Sequence, residues 1–393
     1  MKVLVYLENM ERTVFFTSLS GFFEECDFIF FTDKYSIFRN LSKINVKCYL
    51  LDKHGLSIDP DLFNKNLLSS SNFVKGHVNK KQAKTLISSI VVLIEREKIT
   101  PDALWLFNGE GLVDKFLMSY YEGIKTLFFE VGNFPGKMFV DEKGVNAKST
   151  LMENRFIGGE EYSTFDYSAL RNDKKNPPPQ AKMTINDKLL SWIVDLKGVF
   201  FNNCIYFKSY SLSHKANVLF SSLSAKKYIN KYNTVSNKEF NDLQGDYFFV
   251  PLQVSNDTQL MFNSDVDVDG LINYALESKR NVIIKFHPAE RDARLVKRIF
   301  RKYRFIKGVY FSSKIDTPTL IEQAEKVITI NSNVGLEAIL QKRSCEFLGR
   351  TIYKDFQYKD AVAYINEFLV NISYPKAIDV SVSTKQSLMD KMV

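Results

Sequence analysis

Short apolar runs alternate with helix-like amphipathic stretches along most of this chain. In the first half, runs of β-branched and aromatic residues bounded by polar residues are typical of buried strands. We predict strands at 2–8, 27–32, 46–51, 103–109 and 126–132, with helices at about 80–97 and 112–123. This alternation indicates α/β units around a mostly parallel sheet.

The second half shows the same alternation more regularly. The pattern predicts strands at 246–254, 281–288, 308–313, 326–331 and 344–349, with helices at 267–279, 291–302, 317–325, 333–341 and 359–372. A β-α series of about five strands is Rossmann-like. A proline-bearing stretch at 171–183 indicates an exposed linker, and a helical, aromatic and basic segment follows at about 184–235.

Two Rossmann-like halves predict an α/β protein of the GT-B class, whose two domains face each other across a ligand cleft. We place the N-terminal domain at 1–235 and the C-terminal domain at 236–393. Neither half contains G-x-G-x-x-G or G-x-x-x-x-G-K-[ST], which argues against dinucleotide dehydrogenases and P-loop enzymes. A D-x-D pair occurs at 265–270, but it precedes a helix and is typical of a helix cap, so we expect no metal site.

Composition and charge narrow the class of protein further. The chain is 45% hydrophobic and 25% charged, which is globular, and no apolar run approaches the length needed to span a bilayer. The four cysteines are scattered without a C-x-x-C pair, so we expect a reduced, cytoplasmic protein. The net charge of +8 suits nucleic acid, an anionic membrane or anionic small substrates, or reflects only surplus surface lysine.

Polar residues follow three predicted strands of the second half, in the stretches 251–259, 285–290 and 329–338. Parallel strands present their carboxyl ends to one crevice, so these stretches are expected to form one site. Asn331, Ser332 and Asn333 stand at a helix N-terminus, where unpaired N–H groups and the helix dipole favour an anion. His287, fixed by Pro288, can also donate to a phosphate. A helix cap or a packed loop histidine are the structural alternatives.

Charged residues extend this set of candidates. Glu337 lies one turn into the predicted helix, where its carboxylate can accept from ribose hydroxyls or simply be a surface acid. Lys285 and Arg291 add positive charge, unless they are surface residues. The candidate donor-binding residues are therefore Gln253, Lys285, His287, Pro288, Asn331, Ser332, Asn333, Gly335 and Glu337.

Two carboxylates are candidates for the chemistry itself. Asp257 lies beyond the first strand of the second half, and Glu130 lies at a strand end in the first half. Two carboxylates facing each other across a cleft are used in glycosyl chemistry, one of them as nucleophile or cation stabiliser. Alternatively, Asp257 begins a turn and Glu130 pairs with a lysine.

Four stretches together resemble the bacterial capsule polysaccharide biosynthesis family that contains the retaining β-Kdo transferases. They are "FFEVGNFPGKMFVDEKGVNAKST" (128–150), "YFFVPLQVSNDTQL" (247–260), "KFHP" (285–288) and "TINSNVGLEAILQKRSCEFLGRTIY" (329–353). The order and spacing cover about 225 residues, and the first 120 or so carry no signature. Each motif alone is weak, but the four in this order are fairly specific.

The resemblance implies a GT-B fold, CMP-β-Kdo as the donor and retention of the anomeric configuration. It implies that Asp257 is the nucleophile and that Glu130 is the N-domain acid near the acceptor. His287 and Ser332 would hold the cytidine phosphate, and Glu337 the ribose. Asn133 and Asn146 are the acceptor-binding candidates. The N-terminal domain would bind the acceptor and the C-terminal domain the CMP-sugar. No cofactor or metal is expected.

The sequence departs from the family pattern after E-x-G-x, where many relatives have an arginine and this chain has Pro135-Gly136-Lys137. The departure concerns the acceptor contacts more than the donor chemistry. The acceptor is expected to be a glycan or glycolipid, with peripheral contact to an anionic membrane and no nucleic acid. The alternatives are another CMP-sugar transferase, such as a sialyltransferase, and a non-catalytic scaffold of a capsule assembly complex.

Overall fold

The structure is a computed structural model that describes residues 1–52, 65–154, 158–162, 164–167, 185–201, 204, 212–378 and 380–392. The predicted linker at 171–183 and part of the basic segment at 184–235 lie outside the described residues. The chain divides into two compact units, as far as their ranges are described. Unit 1 is Met1–Thr150, Ser168–Ser209 and Glu367–Val393, and unit 2 is Leu151–Tyr167 and Tyr210–Asn366.

Unit 1 contains a seven-stranded sheet in the order β12-β6-β5-β4-β1-β2-β3. Strands β1 to β5 pair in parallel, whereas β6 is antiparallel to both β5 and β12. The central strands are buried over most of their length, as expected for parallel strands covered on both faces. The strands are β1 Lys2–Tyr6, β2 Asp27–Thr32, β3 Cys48–Leu50, β4 Ala103–Phe107, β5 Lys125–Val131, β6 Lys137–Asp141 and β12 Leu369–Asn371.

Helices and aromatic side chains cover this sheet. Phe16 packs edge-on against Phe129 with 5.5 Å between ring centroids, and Trp105 lies 5.2 Å from the same ring. These contacts pack α1 against the sheet of unit 1. The helices are α1 Met10–Ser20, α2 Tyr35–Lys43, α3 Lys65–Leu68, α4 Ser71–Val74, α5 Lys80–Glu97, α6 Leu112–Tyr120, α8 Ile185–Phe201 and α17 Val382–Asp390; α7 Thr150–Glu153 lies where the chain passes into unit 2.

Unit 2 contains a five-stranded, fully parallel sheet in the order β11-β10-β7-β8-β9. Its strands are β7 Tyr247–Pro251, β8 Asn281–Lys285, β9 Val309–Phe311, β10 Lys326–Thr329 and β11 Ser344–Phe347. Its helices are α9 Leu212–Lys231, α10 Asn237–Asp242, α11 Thr258–Asn263, α12 Val268–Glu277, α13 Ala293–Tyr303, α14 Thr317–Glu322, α15 Asn333–Leu340 and α16 Tyr358–Ala363. The predicted Rossmann-like series is confirmed, and so is the α/β class with two Rossmann-like units that the GT-B fold requires.

The C-terminal part of the chain differs from the prediction. The helix predicted at 359–372 ends at Ala363, a π-helical turn spans Tyr364–Phe368, and β12 then pairs antiparallel with β6 of unit 1. The predicted boundary between residues 235 and 236 therefore differs from the division into units. The last strand, β12, and the last helix, α17, complete the sheet and core of unit 1. Within the described residues, no helix combines the length and the apolar character needed to cross a bilayer.

Candidate functional site

The candidate site of unit 2 lies where the strand order of its sheet reverses. From β7 the chain proceeds to β8 and β9 on one side and then returns to place β10 and β11 on the other. In open α/β sheets, ligands bind outside the carboxyl ends of the strands at such a switch point. The stretches 251–259, 285–290 and 329–338 follow β7, β8 and β10, which are neighbours, so the structure brings all three to this edge.

Gln253 and Asn331 join the two loops at the switch point. Gln253 Nε2 donates to Asn331 Oδ1 at 2.8 Å, and the Asn331 backbone N–H donates to Gln253 Oε1 at 3.2 Å. Asn331 Nδ2 also donates to the Gln259 carbonyl at 2.9 Å. Both amides thus hold the loops after β7 and β10 together. This positioning role is additional to the donor contacts predicted for Gln253 and Asn331, which stay predictions.

Asp257 is the N-cap of α11. Its Oδ1 accepts a hydrogen bond from the Gln259 backbone N–H at 2.9 Å, and the residue is half-buried. The structural alternative is therefore real, because this carboxylate does begin a helix. A cap uses one carboxylate oxygen, so it leaves the residue able to act on a ligand as well.

His287 is held in one orientation and one tautomer. The Ala289 backbone N–H donates to its Nδ1 at 3.0 Å, so Nδ1 is unprotonated and Nε2 carries the hydrogen of the neutral ring. Partial burial lowers the pKa of His287 below its usual value, while the charges of Asp257 and Glu290 oppose this shift. The side chain is nevertheless exposed, as is Pro288, so Nε2–H is available to a ligand.

Glu290 was not found by the sequence analysis, although it organises this loop. It is 4% exposed, and its two oxygens accept from the Ser255 N–H at 2.7 Å, the Ser255 hydroxyl at 3.0 Å and the Arg291 and Asp292 N–H groups at 2.7 Å each. One buried carboxylate therefore ties the loop after β7 to the loop after β8. The only feature of the sequence that could have indicated its role is the position of an acidic residue three residues after His287, within a basic stretch.

Helix α15 begins at the end of β10, as predicted. Ser332 is its N-cap, with Oγ accepting from the Val334 N–H at 3.2 Å, and Asn333 is exposed in the first turn. Gly335 faces the sheet instead, since a methyl group there would lie 2.3 Å from ring carbons of Phe347. Close helix–strand packing therefore accounts for the glycine, and its predicted donor contact stays a prediction.

Glu337 and Lys285 both have protein partners. The Tyr167 hydroxyl donates to Glu337 Oε2 at 3.0 Å, and the carboxylate is buried. Lys285 Nζ donates to the Ile315 carbonyl at 2.6 Å, and burial lowers the pKa of Lys285 below its usual value. Lys285 therefore supports the loop after β9, and its predicted contribution to the donor field stays a prediction.

In unit 1, the predicted acid Glu130 lies in β5 and is held by two amides. Its Oε1 accepts from Asn108 Nδ2 at 3.2 Å, and its Oε2 accepts from Asn146 Nδ2 at 2.6 Å. Asn133 lies half-buried in the turn between β5 and β6. Glu130 and Asn146 are therefore brought together, and amide donors from Asn108 and Asn146 hold the Glu130 carboxylate.

The loop that carries Asn146 is organised by a second residue that the sequence did not reveal. Asp141 is buried, and its carboxylate accepts from the Lys143 N–H at 2.8 Å, the Gly144 N–H at 3.1 Å and the Thr150 hydroxyl at 2.6 Å. Across the described residues, no group of three His, Cys, Asp or Glu side chains is arranged to hold a metal ion.

A sequence family matches most of the region that contains these residues. The family described as "Capsule polysaccharide biosynthesis protein" matches residues 120–356, which is more than half of the chain. The chain therefore belongs to the capsule polysaccharide biosynthesis protein family.

Individual relatives match stretches of different lengths. Capsule polysaccharide export protein KpsS of Escherichia coli is 30% identical over 125 residues, covering 29% of this chain and 32% of KpsS. Capsule polysaccharide modification protein LipB of Neisseria meningitidis serogroup A is 31% identical over 122 residues, covering 28% of this chain and 29% of LipB. The chain thus matches about a third of the length of these relatives. Protein FixF of Sinorhizobium fredii is 24% identical over 301 residues, covering 75% of this chain and 59% of FixF.

Solved structures align over the whole chain at low identity. KpsC of Thermosulfurimonas dismutans, a beta Kdo 2,7 transferase, aligns over 100% of this chain and 99% of its own, with 10% identity and a TM-score of 0.43. The UDP-GlcNAc 2-epimerase of Methanocaldococcus jannaschii aligns over 100% and 99%, with 12% identity and a TM-score of 0.30.

Proposed function

We propose that the chain is a retaining glycosyltransferase that moves Kdo from CMP-β-Kdo to a glycan or lipid-linked acceptor in capsule, O-antigen or lipopolysaccharide biosynthesis. Family membership and the four motifs support this proposal. The observation that carries it is the placement of Asp257, His287 and Ser332 after the neighbouring strands β7, β8 and β10 at the switch point. Asp257 lies close enough to His287 for its charge to act on the pKa of the imidazole.

The leaving phosphate of the donor is the group that this edge suits best. His287 offers Nε2–H, and α15 begins directly after its N-cap Ser332, where the positive end of the helix dipole favours an anion. Fixed donors of this kind stabilise charge that develops on a leaving oxygen. Buried Glu290 holds the His287 loop in position and so supports the same function.

The reaction is proposed as two displacements at the anomeric carbon of Kdo. In the first, a carboxylate oxygen of Asp257 forms a bond to that carbon, and the bond to the CMP oxygen breaks with its electron pair leaving on CMP. In the second, the acceptor hydroxyl oxygen attacks the same carbon, the bond to Asp257 breaks, and the hydroxyl proton passes to a base. Two inversions give net retention.

Glu130, Asn133 and Asn146 are proposed to serve the acceptor, with Glu130 as the acid or base of that step. Asn108 and Asn146 fix the direction of the Glu130 carboxylate, as a proton-transfer group requires. The proposed pairing of Glu130 with Asp257 stays a prediction, because the two residues belong to different units.

The test of the proposed function is release of CMP by the purified full chain. CMP-Kdo is supplied freshly generated, with CMP-sialic acid and UDP-GlcNAc in parallel, and lipid and glycan acceptors are added. We expect release from CMP-Kdo alone, and since the proposed reaction uses no metal, we expect it to persist in excess EDTA. Release from CMP-sialic acid instead would overturn the donor, and silence with every donor and acceptor would favour the scaffold alternative.

We also propose that the protein acts in the cytoplasm and contacts the inner face of the anionic cytoplasmic membrane. Between α13 and β9, Phe305 is 80% exposed and Ile306 is 41% exposed, and Arg304 and Lys307 flank them. Exposed apolar tips with basic flanks bind anionic bilayers, and salt weakens that attraction.

We expect the protein to float with anionic vesicles but not with neutral ones, and Phe305→Ser to reduce the bound fraction several-fold. Val382→Ser is the matched control, since Val382 is 84% exposed in unit 1 and has no role in this surface. Equal flotation with neutral vesicles, or an equal loss in both variants, would contradict this contact.

A further inference from the structure

Unit 1 contains a cavity of about 270 Å³ that no motif of the sequence indicated. It lies at the carboxyl ends of β1, β2 and β4 and is lined by residues that follow these strands and by residues of α4, α5 and the segment between them. Strands β2 and β3 lie on one side of β1, and β4 and β5 lie on the other, so β1 and β4 flank the switch point of this sheet. The cavity therefore occupies the position where open α/β sheets bind ligands.

The cations that line the cavity are already neutralised. Arg12 pairs with Glu8, and Lys34 Nζ lies 2.5 Å from Asp33 Oδ2. The Tyr6 hydroxyl donates to the other oxygen of Asp33 at 2.8 Å. Arg12 and Lys34 are thus each paired with a carboxylate, so neither is a free cation for a phosphate or carboxylate ligand.

Four lining side chains each use one polar atom for the fold and retain a second one. Asn9 Oδ1 accepts from the Arg12 N–H at 3.0 Å, and Asn72 Oδ1 accepts from the Leu112 N–H at 2.8 Å. Asp114 Oδ2 accepts from the Gly111 N–H at 3.3 Å, and Glu8 Oε2 accepts from Arg12. Within the described part of the chain, the second polar atom of each has no hydrogen-bond partner, which gives two amide donors and two carboxylate acceptors.

Asp114 is the most deeply placed of these groups. It is 5% exposed, and its burial raises its pKa to about 7, against the attraction of Arg12. A buried carboxyl with one long backbone hydrogen bond is poorly satisfied, and a ligand hydroxyl would satisfy it.

We propose that this cavity binds one neutral sugar ring through its hydroxyl groups. A hydroxyl both donates and accepts, so a ring of hydroxyls matches a lining of paired amide donors and carboxylate acceptors. The volume is slightly below the usual pocket range of about 300–1,000 Å³, which suits one ring rather than an oligosaccharide. Assigning that ring to the acceptor rests on the proposed transferase function.

The test is saturation-transfer NMR with the full chain and no donor, so its result does not depend on turnover. The probes are glucose, galactose, rhamnose and N-acetylglucosamine, with inorganic phosphate and free Kdo as anionic comparisons. Asn9→Asp keeps the cap of α1 and the side-chain shape but removes the amide donor. We expect it to weaken binding of a neutral sugar by about tenfold.

Asn79→Asp is the matched control, because Asn79 caps α5 in the same way and does not line the cavity. Asn72→Asp is a second variant that also removes a donor and retains the oxygen facing Leu112. Failure of all neutral sugars to bind, tighter binding of the anionic probes, or equal binding by all three variants would overturn the proposal. CMP release from CMP-Kdo reports separately on the proposed function.

Discussion

Asp257→Asn is expected to lower the rate of CMP-Kdo-dependent transfer by roughly 10³-fold or more, with the fold intact. An amide cannot form the glycosyl ester with the anomeric carbon, nor can it stabilise positive charge there. The substitution separates the two roles of this residue cleanly, since asparagine caps helices about as well as aspartate. Its Oδ1 can still accept from the Gln259 N–H, so the free energy of unfolding should change by less than about 0.5 kcal/mol.

The matched control for this prediction is Asp267→Asn. Asp267 is the N-cap of the next helix, α12, and accepts from the Gly270 N–H at 2.8 Å, so it undergoes the same chemical change at an equivalent structural position. We expect it to retain transfer within a factor of two or so of the unmodified protein. The rates are measured by CMP release, and unfolding is followed by urea denaturation.

A covalent intermediate gives this prediction a second readout. With donor present and acceptor withheld, mass spectrometry should detect a sugar adduct on the peptide that contains Asp257 in the unmodified protein and not in the asparagine variant. If Asp257→Asn kept more than a tenth of the rate, Asp257 would be a helix cap alone, and the nucleophile would have to be sought elsewhere.

The parallel strands were predictable because their apolar runs are long relative to the turns that separate them. The same criterion missed β6, since "GKMFVD" follows the "EVGNFP" turn so closely that strand and turn merge in the pattern. The hairpin depends on a close approach: the Gly132 N–H donates to the Lys137 carbonyl at 2.9 Å, and a Cβ at Gly132 would lie 2.6 Å from that oxygen. This close approach depends on the folded structure, and its only trace in the sequence is the glycine itself.

The C-terminal strand was missed for a different reason. Leu369, Val370 and Asn371 continue an apolar, helix-like pattern from 359, and nothing local marks where the helix stops. What fixes them as β12 is the free edge of β6, which is more than 200 residues earlier in the chain. Pairing with so distant a partner cannot be deduced from local periodicity.

Candidate donor residues could be predicted from the sequence because strand ends in a parallel sheet share an edge. The residues that position them could not. Glu290 resembles a surface acid in the sequence, and only the folded chain shows that its carboxylate is buried and accepts hydrogen bonds from four donors. The unit 1 cavity is hidden for a similar reason, because Asn9, Asn72 and Asp114 come from three separate segments.

Asp114 makes the folding stability of unit 1 depend on pH in an unusual direction. Burial raises its pKa from an ordinary 3.8 to about 7 in the folded protein. Below about pH 4 the carboxyl is protonated in both states and contributes no difference. Between about pH 4 and 7 only the unfolded chain ionises, so the unfolded state binds fewer protons and stability falls as pH rises. Above about pH 7 both states are ionised and the loss levels off.

Asp114→Asn should therefore stabilise the protein at neutral and alkaline pH. The difference between the two pKa values, about 3, corresponds to roughly 4 kcal/mol at pH 8 and to little at pH 4. Asparagine retains an oxygen for the Gly111 N–H, so the start of α6 should be preserved. Urea denaturation at pH 4.5, 6 and 8 measures the change, with Asp390→Asn as an exposed control in the same unit. The prediction is contradicted if the difference in stability between Asp114→Asn and the unmodified protein is the same at all three pH values. That result would show that Asp114 is ionised in the folded protein and that a nearby cation stabilises its charge.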